Sequence, residues 1–561
     1  MHGCCLRKAA AYTPGMEDQV LATRVPDGRD QHGRGAICLP VKRSHRGHLA
    51  LIVLVATLPV LVSGGAFFVD GPNHLFRVTL WETMLADDMV AQFFQAGDRL
   101  YPNLAIDVFT SVLGKVVSPS IALTLFICTA VCVYILAVVW CRQARGEHTD
   151  LPLLLIILLA VYSEPLYWGL FNYILGLGVM FVALCRASEQ RKSHSDSFVV
   201  TQALILGGAC LISIFPVILY VCFCFGMFVV AARDDWRARR FAESAQLLRS
   251  HWLSALVVVV LLLVMEPGQS GPTEWHIATK LTGIFSVGKS TNLSFEYGLS
   301  ALVLGVVGWL AWRRGLNAGR HELAGLLACG LLFLIMPKYL MSVGAADRRL
   351  VPAIVTIAAI FLRGPPAQPV RSDKAATALL LGIVAVKAGL LLYLWAPLKQ
   401  LDATYAAIAR EIPAHAIVLF TPPVEEARPD AIERAWRFAK LATAFQPIPA
   451  AEAHVFVEHP HLLLRHLAGR NVLPTQVFLN FWAKRASELP QLPDPATSQT
   501  FADVAAELAW LPSGVSVFVV SHIELDGTLA PDLSVRQITE VGGVRLYTAV
   551  RIGELRQWPD R

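Results

Sequence analysis

Asp70, Asn73, His74 and Arg77 stand at i, i+3, i+4 and i+7 in the stretch Asp70-Gly-Pro-Asn73-His74-Leu-Phe-Arg77. That spacing puts an acid, an imidazole and a guanidinium on one face of a helix. A carboxylate can take a proton from a hydroxyl, and the planar fork of a guanidinium fits phosphate oxygens. The same spacing also suits a plainer role, in which Asp70 caps a helix that has Pro72 in its first turn and turns its polar groups to water. Location favours the chemical reading. Residues 49–69 form an uncharged apolar run of about 21 residues, enough to cross ~30 Å of hydrocarbon as a helix. The polar face begins where that run ends.

Other ionisable residues fall in comparable places: Asp87-Asp88, Glu164, Lys338 and Asp347-Arg348-Arg349. Charges at membrane depth are costly and mark functional positions. An apolar run over 151–162 is short and stops at Ser163-Glu164-Pro165, the pattern of a kinked or re-entrant segment beside a polar cavity. Joining a sugar to an acceptor at such a face needs a carboxylate base and cations that hold the departing phosphate. Asp70 suits the first task, with His74 orienting it. Arg348, Arg349, Lys338 and Arg77 suit the second. Glu164, Asp87, Asp88, Asp347, Asn73 and Asn172 are candidates for the acceptor side or for a second acid. Plainer readings stay open. Glu164 fits an exposed loop, and Asp347-Arg348-Arg349 fits an interfacial anchor with an internal ion pair. Asn172-Tyr173, followed by Gly176 and Gly178, fits close helix packing.

The elements that must position these residues are membrane spans. Of 561 residues, 55% are hydrophobic and 16% charged, with mean hydropathy +0.53. That composition excludes an ordinary soluble domain. About eleven spans are expected: 49–69, 119–140, 151–162, 168–185, 198–214, 217–232, 252–265, 298–312, 323–336, one ending near 362, and 376–395. Arg-rich loops such as Arg233…Arg240 share one side, so the net charge of +6 orients the chain rather than binding nucleic acid. The N-terminus is then cytoplasmic and the candidate residues lie on the outer face. Residues 1–48 read as a disordered tail, and 70–118 as a first outer loop with an interfacial helical pattern over 73–97. Residues 396–561 turn polar and Pro-rich, with β-branched runs at 416–420 and 515–520 and helical patterns at 430–444 and 502–510. This reads as an α/β domain outside the cytoplasm.

Most of the eleven cysteines sit in apolar runs, where a free thiol acts as a small hydrophobe. Cys222-Phe-Cys224 lacks zinc-site spacing, as do His454, His459, His461 and His466.

The layout resembles the GT-C superfamily of polyprenol-phosphate-dependent membrane glycosyltransferases. The shared features are a first span ending at an Asp, an outer loop with interfacial helices, many further spans and an extracytoplasmic C-terminal domain. The segments Asp70–Arg77, Trp168-Gly-Leu-Phe-Asn172-Tyr173-Ile-Leu-Gly176-Leu-Gly178 and Ala346-Asp347-Arg348-Arg349-Leu350-Val-Pro352 look like recurring motifs of a largely uncharacterised bacterial subgroup. The resemblance covers about 49–362 well and the C-terminal domain loosely. It implies that Asp70 is the base of an inverting transfer. Many members carry a second acid beside the first. Here position 71 is Gly, so either Asp87 or Asp88 serves, which leaves a divalent metal open, or no metal is needed.

The expected protein is therefore an α-helical polytopic enzyme of the bacterial inner membrane, with its C-terminal domain in the periplasm. It would take a lipid-linked sugar donor and a glycan, lipid or protein acceptor of the cell envelope, with no resident cofactor. A flippase for lipid-linked glycans would need ionisable residues along a mid-bilayer path and symmetry between halves; the charges cluster at one face and no repeat is visible. A non-catalytic assembly protein of envelope polysaccharide is the third reading.

Overall fold

The computed structural model describes residues 43–63, 68, 71, 74, 75, 78, 94–96, 103–189, 196–239, 242–264, 273–290, 294–340, 346–364, 371–412, 417–420, 462–463, 477–479, 516–521, 533–541 and 544–551. The helical part starts with α1 (Arg43–Ser63), α2 (Leu104–Gly114) and α3 (Pro119–Ala144). Next come α4 (Leu151–Val161), the single turn α5 (Glu164–Tyr167) and α6 (Phe171–Glu189). Then α7 (Asp196–Ile212), α8 (Ile214–Arg237) and α9 (Ala242–Val264) lead to a short α10 (Ile277–Gly283), which tightens into a 3₁₀ turn over Ile284–Val287. The last four are α11 (Phe295–Arg314), α12 (Arg320–Ile335), α13 (Leu350–Phe361) and α14 (Arg371–Arg410).

Each span expected from the sequence contains a helix among the described residues. Among the described residues, six helices are long and apolar enough to cross a membrane: α3, α6, α8, α9, α11 and α14. The others are shorter; the apolar part of α1, for instance, is Leu49–Val62.

Local chemistry sets the breaks. Ser118 opens α3 by accepting from the Ile121 amide at 3.3 Å, with Pro119 in the first position, where its missing N–H costs nothing. Between α4 and α5, Ser163 is extended and Pro165 starts the next turn. Between α7 and α8, Ser213 is extended and Pro216 sits in the first turn of α8.

Helices α4 and α13 are apolar on almost every side and form the centre of the bundle. From Pro152 to Val161, α4 is buried throughout, as a helix with no polar face must be. Helices α1, α3, α13 and α14 pack around it. Close approach elsewhere depends on missing side chains. A Cβ on Gly226 of α8 would lie 2.5 Å from the Ala324 carbonyl oxygen of α12. One on Gly178 of α6 would lie 2.9 Å from Val133 Cγ1 and 3.0 Å from the Tyr134 nitrogen of α3.

One end of the bundle is tied by buried arginines. Arg142, fully buried, donates to the carbonyls of Ala359 (2.7 Å), Ile360 (3.2 Å), Leu362 (2.6 Å) and His148 (2.8 Å). It thereby satisfies acceptors that the end of α13 leaves open. Arg314 bridges Asp150 (2.8 Å) and Asp373 (3.1 Å), joining α11 to the starts of α4 and α14.

A five-stranded mixed sheet follows. It contains β2 (Ile417–Phe420), β3 (Leu462–Leu463), β5 (Ser516–Ser521), β6 (Leu533–Val541) and β7 (Val544–Arg551), in the order β3-β2-β5-β7-β6. Strand β2 runs parallel to β3 and β5, and β7 runs antiparallel to β5 and β6. The β-branched runs expected at 416–420 and 515–520 are thus neighbouring strands. The hairpin β6–β7 pairs Val541 with Val544 at its end. A register shift between Gln537 and Thr539 bulges β6, and the hairpin packs on α14.

A separate pair joins β1 (Phe94–Ala96) antiparallel to β4 (Val477–Leu479). The helical pattern expected over 73–97 therefore ends before Phe94, because pairing with a distant partner overrides the local period. The helical patterns at 430–444 and 502–510 lie outside the described residues.

Candidate functional site

The end of the bundle away from Arg142 gathers the charged residues. Helix α4 runs from Asp150 in the arginine tie to the turn bearing Glu164, and α13 runs back from Arg349 to the tie. At 1.5 Å per residue these helices span about 16–18 Å, less than the ~30 Å thickness of hydrocarbon. At the charged end Glu164, Lys289 and Asp347 are buried within the bundle.

Glu164, 5% exposed, accepts from Arg348 Nη1 at 2.9 Å, and Lys289 Nζ lies 3.8 Å from the same oxygen. The second arm of Arg348 reaches Thr282 Oγ1 at 3.3 Å. Ser286 donates to the Arg348 carbonyl at 3.1 Å. Asp347, fully buried, accepts from Lys280 Nζ at 2.9 Å and from the Arg348 amide, also at 2.9 Å. Lys280 also donates to the Met336 carbonyl. The side chains and turns of α10 thus bolt the 346–349 segment to the end of α12.

These partners bear on two alternatives left open by the sequence. Glu164 is not an exposed loop residue. The Asp347 carboxylate and the Arg348 guanidinium pair with Lys280 and Glu164 instead of with each other. Arg349 places its guanidinium 4.8 Å from the Phe215 ring centroid, and its carbonyl accepts from the Tyr173 hydroxyl. Lys338 stands over the Tyr339 ring at 4.7 Å, and its backbone pairs with Glu274 and Ala346. Asn172 accepts from the Ile106 amide at 3.0 Å and donates to the Asn103 carbonyl at 2.7 Å, so its amide anchors α2. Gly176 and Gly178 lie at close helix contacts, as their role in packing requires.

The 70–77 stretch is described in part. His74 Nε2 is 3.1 Å from the Gly169 carbonyl, and its ring lies 5.6 Å from that of Phe171. Phe68 meets Phe171 edge-on at 5.2 Å and Tyr167 at 6.2 Å. Residues on both sides of position 70 therefore pack against the segment that begins with Glu164. Asp70, Asn73, Arg77, Asp87 and Asp88 lie outside the described residues.

A second layer of charge was not singled out from the sequence. Lys387 in α14, 3% exposed, lies 3.2 Å from Glu296 Oε1 of the fully buried Glu296. It also donates to Ser290 Oγ at 3.0 Å and to the Gly288 carbonyl. Glu296 in turn accepts from Ser290 Oγ at 2.6 Å and from the Ser290 amide at 3.2 Å. Tyr167 completes this layer, its ring centroid 5.9 Å from Lys387 Nζ. Burial pushes the Tyr167 phenol well above its ordinary range, so it stays a neutral hydroxyl. A signal for Lys387 was present: it is the sole charge in the apolar run 376–395. Its partner, some 90 residues earlier, carried none.

Among the described residues, cations outnumber carboxylates here. Arg348, Arg349, Lys280, Lys289 and Lys338 stand with Glu164, Asp347 and Glu274. Glu164 holds the Arg348 guanidinium in a fixed place, a group whose planar fork has the geometry that suits an anion. Among the described residues, no group of three or more His, Cys, Asp or Glu side chains could hold a metal ion.

No protein-family model and no curated protein matches the chain. Among solved structures, ArnT from Cupriavidus metallidurans bound to undecaprenyl phosphate is similar, with a TM-score of 0.49 at 13% identity, over 90% of this chain and 98% of that one. The bound lipid belongs to that protein, and a likeness at this level transfers no residue or activity to this chain.

Proposed function

We propose that the chain is an integral-membrane glycosyltransferase. It moves a sugar from a polyprenyl-phosphate-linked donor to a hydroxyl of a cell-envelope glycan, lipid or protein, at the periplasmic face of a bacterial inner membrane. The observation that carries this reading is the convergence of Arg348 and Lys289 on Glu164, residues far apart in sequence, at a buried end of the bundle. A set of cations sunk among apolar helices suits an anionic headgroup whose chain remains in lipid.

In this reading residues 49–395 form the membrane domain, and 396–561 a domain on the outer side. Asp70 takes the proton of the acceptor hydroxyl while its oxygen attacks the anomeric carbon. The bond from that carbon to the phosphate oxygen breaks, and its electron pair leaves with the polyprenyl phosphate. Arg348 and Arg349, with Lys338 and Arg77, hold the phosphate as its charge grows. His74 orients the base. Inversion at the anomeric carbon follows from a single displacement.

The test is transfer from a polyprenyl-phosphate sugar by the full chain in liposomes. Losing a general base costs about 10²–10⁴-fold, so Asp70→Asn should fall by at least that lower bound with its thermal unfolding unchanged. A D70N variant working at the wild-type rate would refute the assignment.

A further inference from the structure

We infer that Lys387 and Glu296 are positioning residues that aim Lys289 at Glu164. The inference rests on the proposed reading, because it makes Lys289 a further ligand for the anionic headgroup.

The turn that carries Lys289 is where the case begins. This residue follows the 3₁₀ turn ending at Val287, between Gly288 and Ser290. Both neighbours are held from behind. Lys387 donates to the Gly288 carbonyl and to the Ser290 hydroxyl, and Glu296 accepts from the Ser290 amide and hydroxyl. The turn also lies tight against α11. A Cβ on Gly288 would stand 2.8 Å from Ser300 Oγ and 3.0 Å from Ser300 Cα. With both flanks fixed, the Lys289 side chain reaches forward, where its ammonium lies 3.8 Å from Glu164 and 5.1 Å from the Tyr297 ring centroid.

A pair serving packing alone would need no such connection. An apolar pair of similar volume is commonly as stable as a buried ion pair. Here the two charges converge on the backbone on either side of one lysine, which itself contacts the carboxylate that Arg348 holds. The ion pair lies behind the site and the ligand side in front, with Lys289 the residue that links them.

The test reads geometry and binding separately, on the full chain in lipid nanodiscs. A hydrophobic carbodiimide activates buried carboxylates and yields an amide, detectable as a cross-linked peptide, where a lysine lies in contact. Wild type should give the Lys289–Glu164 cross-link. The K387M/E296Q double variant removes both charges together, and its cross-link should fall about tenfold or more, since misplacement of about 1 Å can cost that much. K387R, which keeps the charge, should retain it. If the double variant fails to fold, S290A removes the shared hydroxyl and should lower the cross-link by itself. The binding arm uses a polyprenyl phosphate as probe. K289M and K387M/E296Q should each weaken binding about tenfold, and all three changes together should weaken it no further, because the sites act through one group.

An unchanged cross-link in the folded double variant, or in S290A where that variant stands in for it, overturns the inference. So does a lost cross-link with polyprenyl phosphate binding intact, or a loss that adds to that of K289M. A wild-type protein that forms the cross-link but binds no polyprenyl phosphate overturns the proposed function instead, and with it Lys289 as a headgroup ligand.

Discussion

Arg348 makes its two side-chain contacts in different directions, one nitrogen to Glu164 and the other to Thr282. A lysine carries all its donors on one nitrogen and cannot place two of them as far apart as a guanidinium does, so R348K is not a conservative change here. Each hydrogen bond to a charged group contributes about 1.5–3 kcal/mol, and a tenfold change in affinity corresponds to about 1.4 kcal/mol. R348K should therefore weaken binding of a polyprenyl phosphate by about tenfold, and R348M by more, as measured by a binding isotherm in nanodiscs. Equal affinities in the three proteins would remove Arg348 from the headgroup site. Arg348 and Glu164 stood out as candidates by their types, because charges beside apolar runs are rarely accidental. Their pairing was not, since nothing in a sequence states that a turn after α4 will meet a turn before α13. Lys289 was not singled out, for the same reason.

At the scale of elements, the apolar runs and their proline and serine breaks located the long helices, while α2 (Leu104–Gly114) and α10 (Ile277–Gly283) were not read from the sequence. Ends were less legible. Helix α14 continues to Arg410 through residues whose polarity suggested that a span had finished. The strand at Phe94–Ala96 carried a misleading period, and its partner lies nearly 400 residues on. Packing contacts came through only where a glycine betrayed them. Gly226 faces backbone atoms of α12, which cannot move aside as a flexible side chain would. G226A should force α8 and α12 apart and destabilise the protein by about 1–3 kcal/mol, the usual cost of overpacking. Gly298, in the first turns of α11, has open space where an alanine methyl would stand, with nothing within 4 Å, so G298A should stabilise slightly, by up to about 1 kcal/mol. Thermal unfolding in detergent compares the two. Equal melting temperatures for G226A and wild type would show that the helices do not meet this closely.

Across the whole molecule, the charge asymmetry gives an orientation that can be checked. The Arg-rich loops and the arginine tie lie at one end, and the candidate site at the other. If that tie faces the cytoplasm, a chain that leaves on the opposite side carries its sheet outward. Alkaline phosphatase joined after Arg561 should then be active in a bacterial host, and green fluorescent protein at the same place should stay dark. The reverse pattern would put the sheet, and the proposed chemistry, on the cytoplasmic side.

The arginine tie also bears on how the protein is made. Arg142 emerges from the ribosome more than 200 residues before the carbonyls of Ala359, Ile360 and Leu362 that receive its hydrogen bonds. Until those residues are synthesised, the guanidinium lacks most of its final acceptors and must remain hydrated at the membrane edge. The tie therefore closes only once the second half of the chain is present, and a product cut short before Ala359 would leave Arg142 without three of its four carbonyl acceptors.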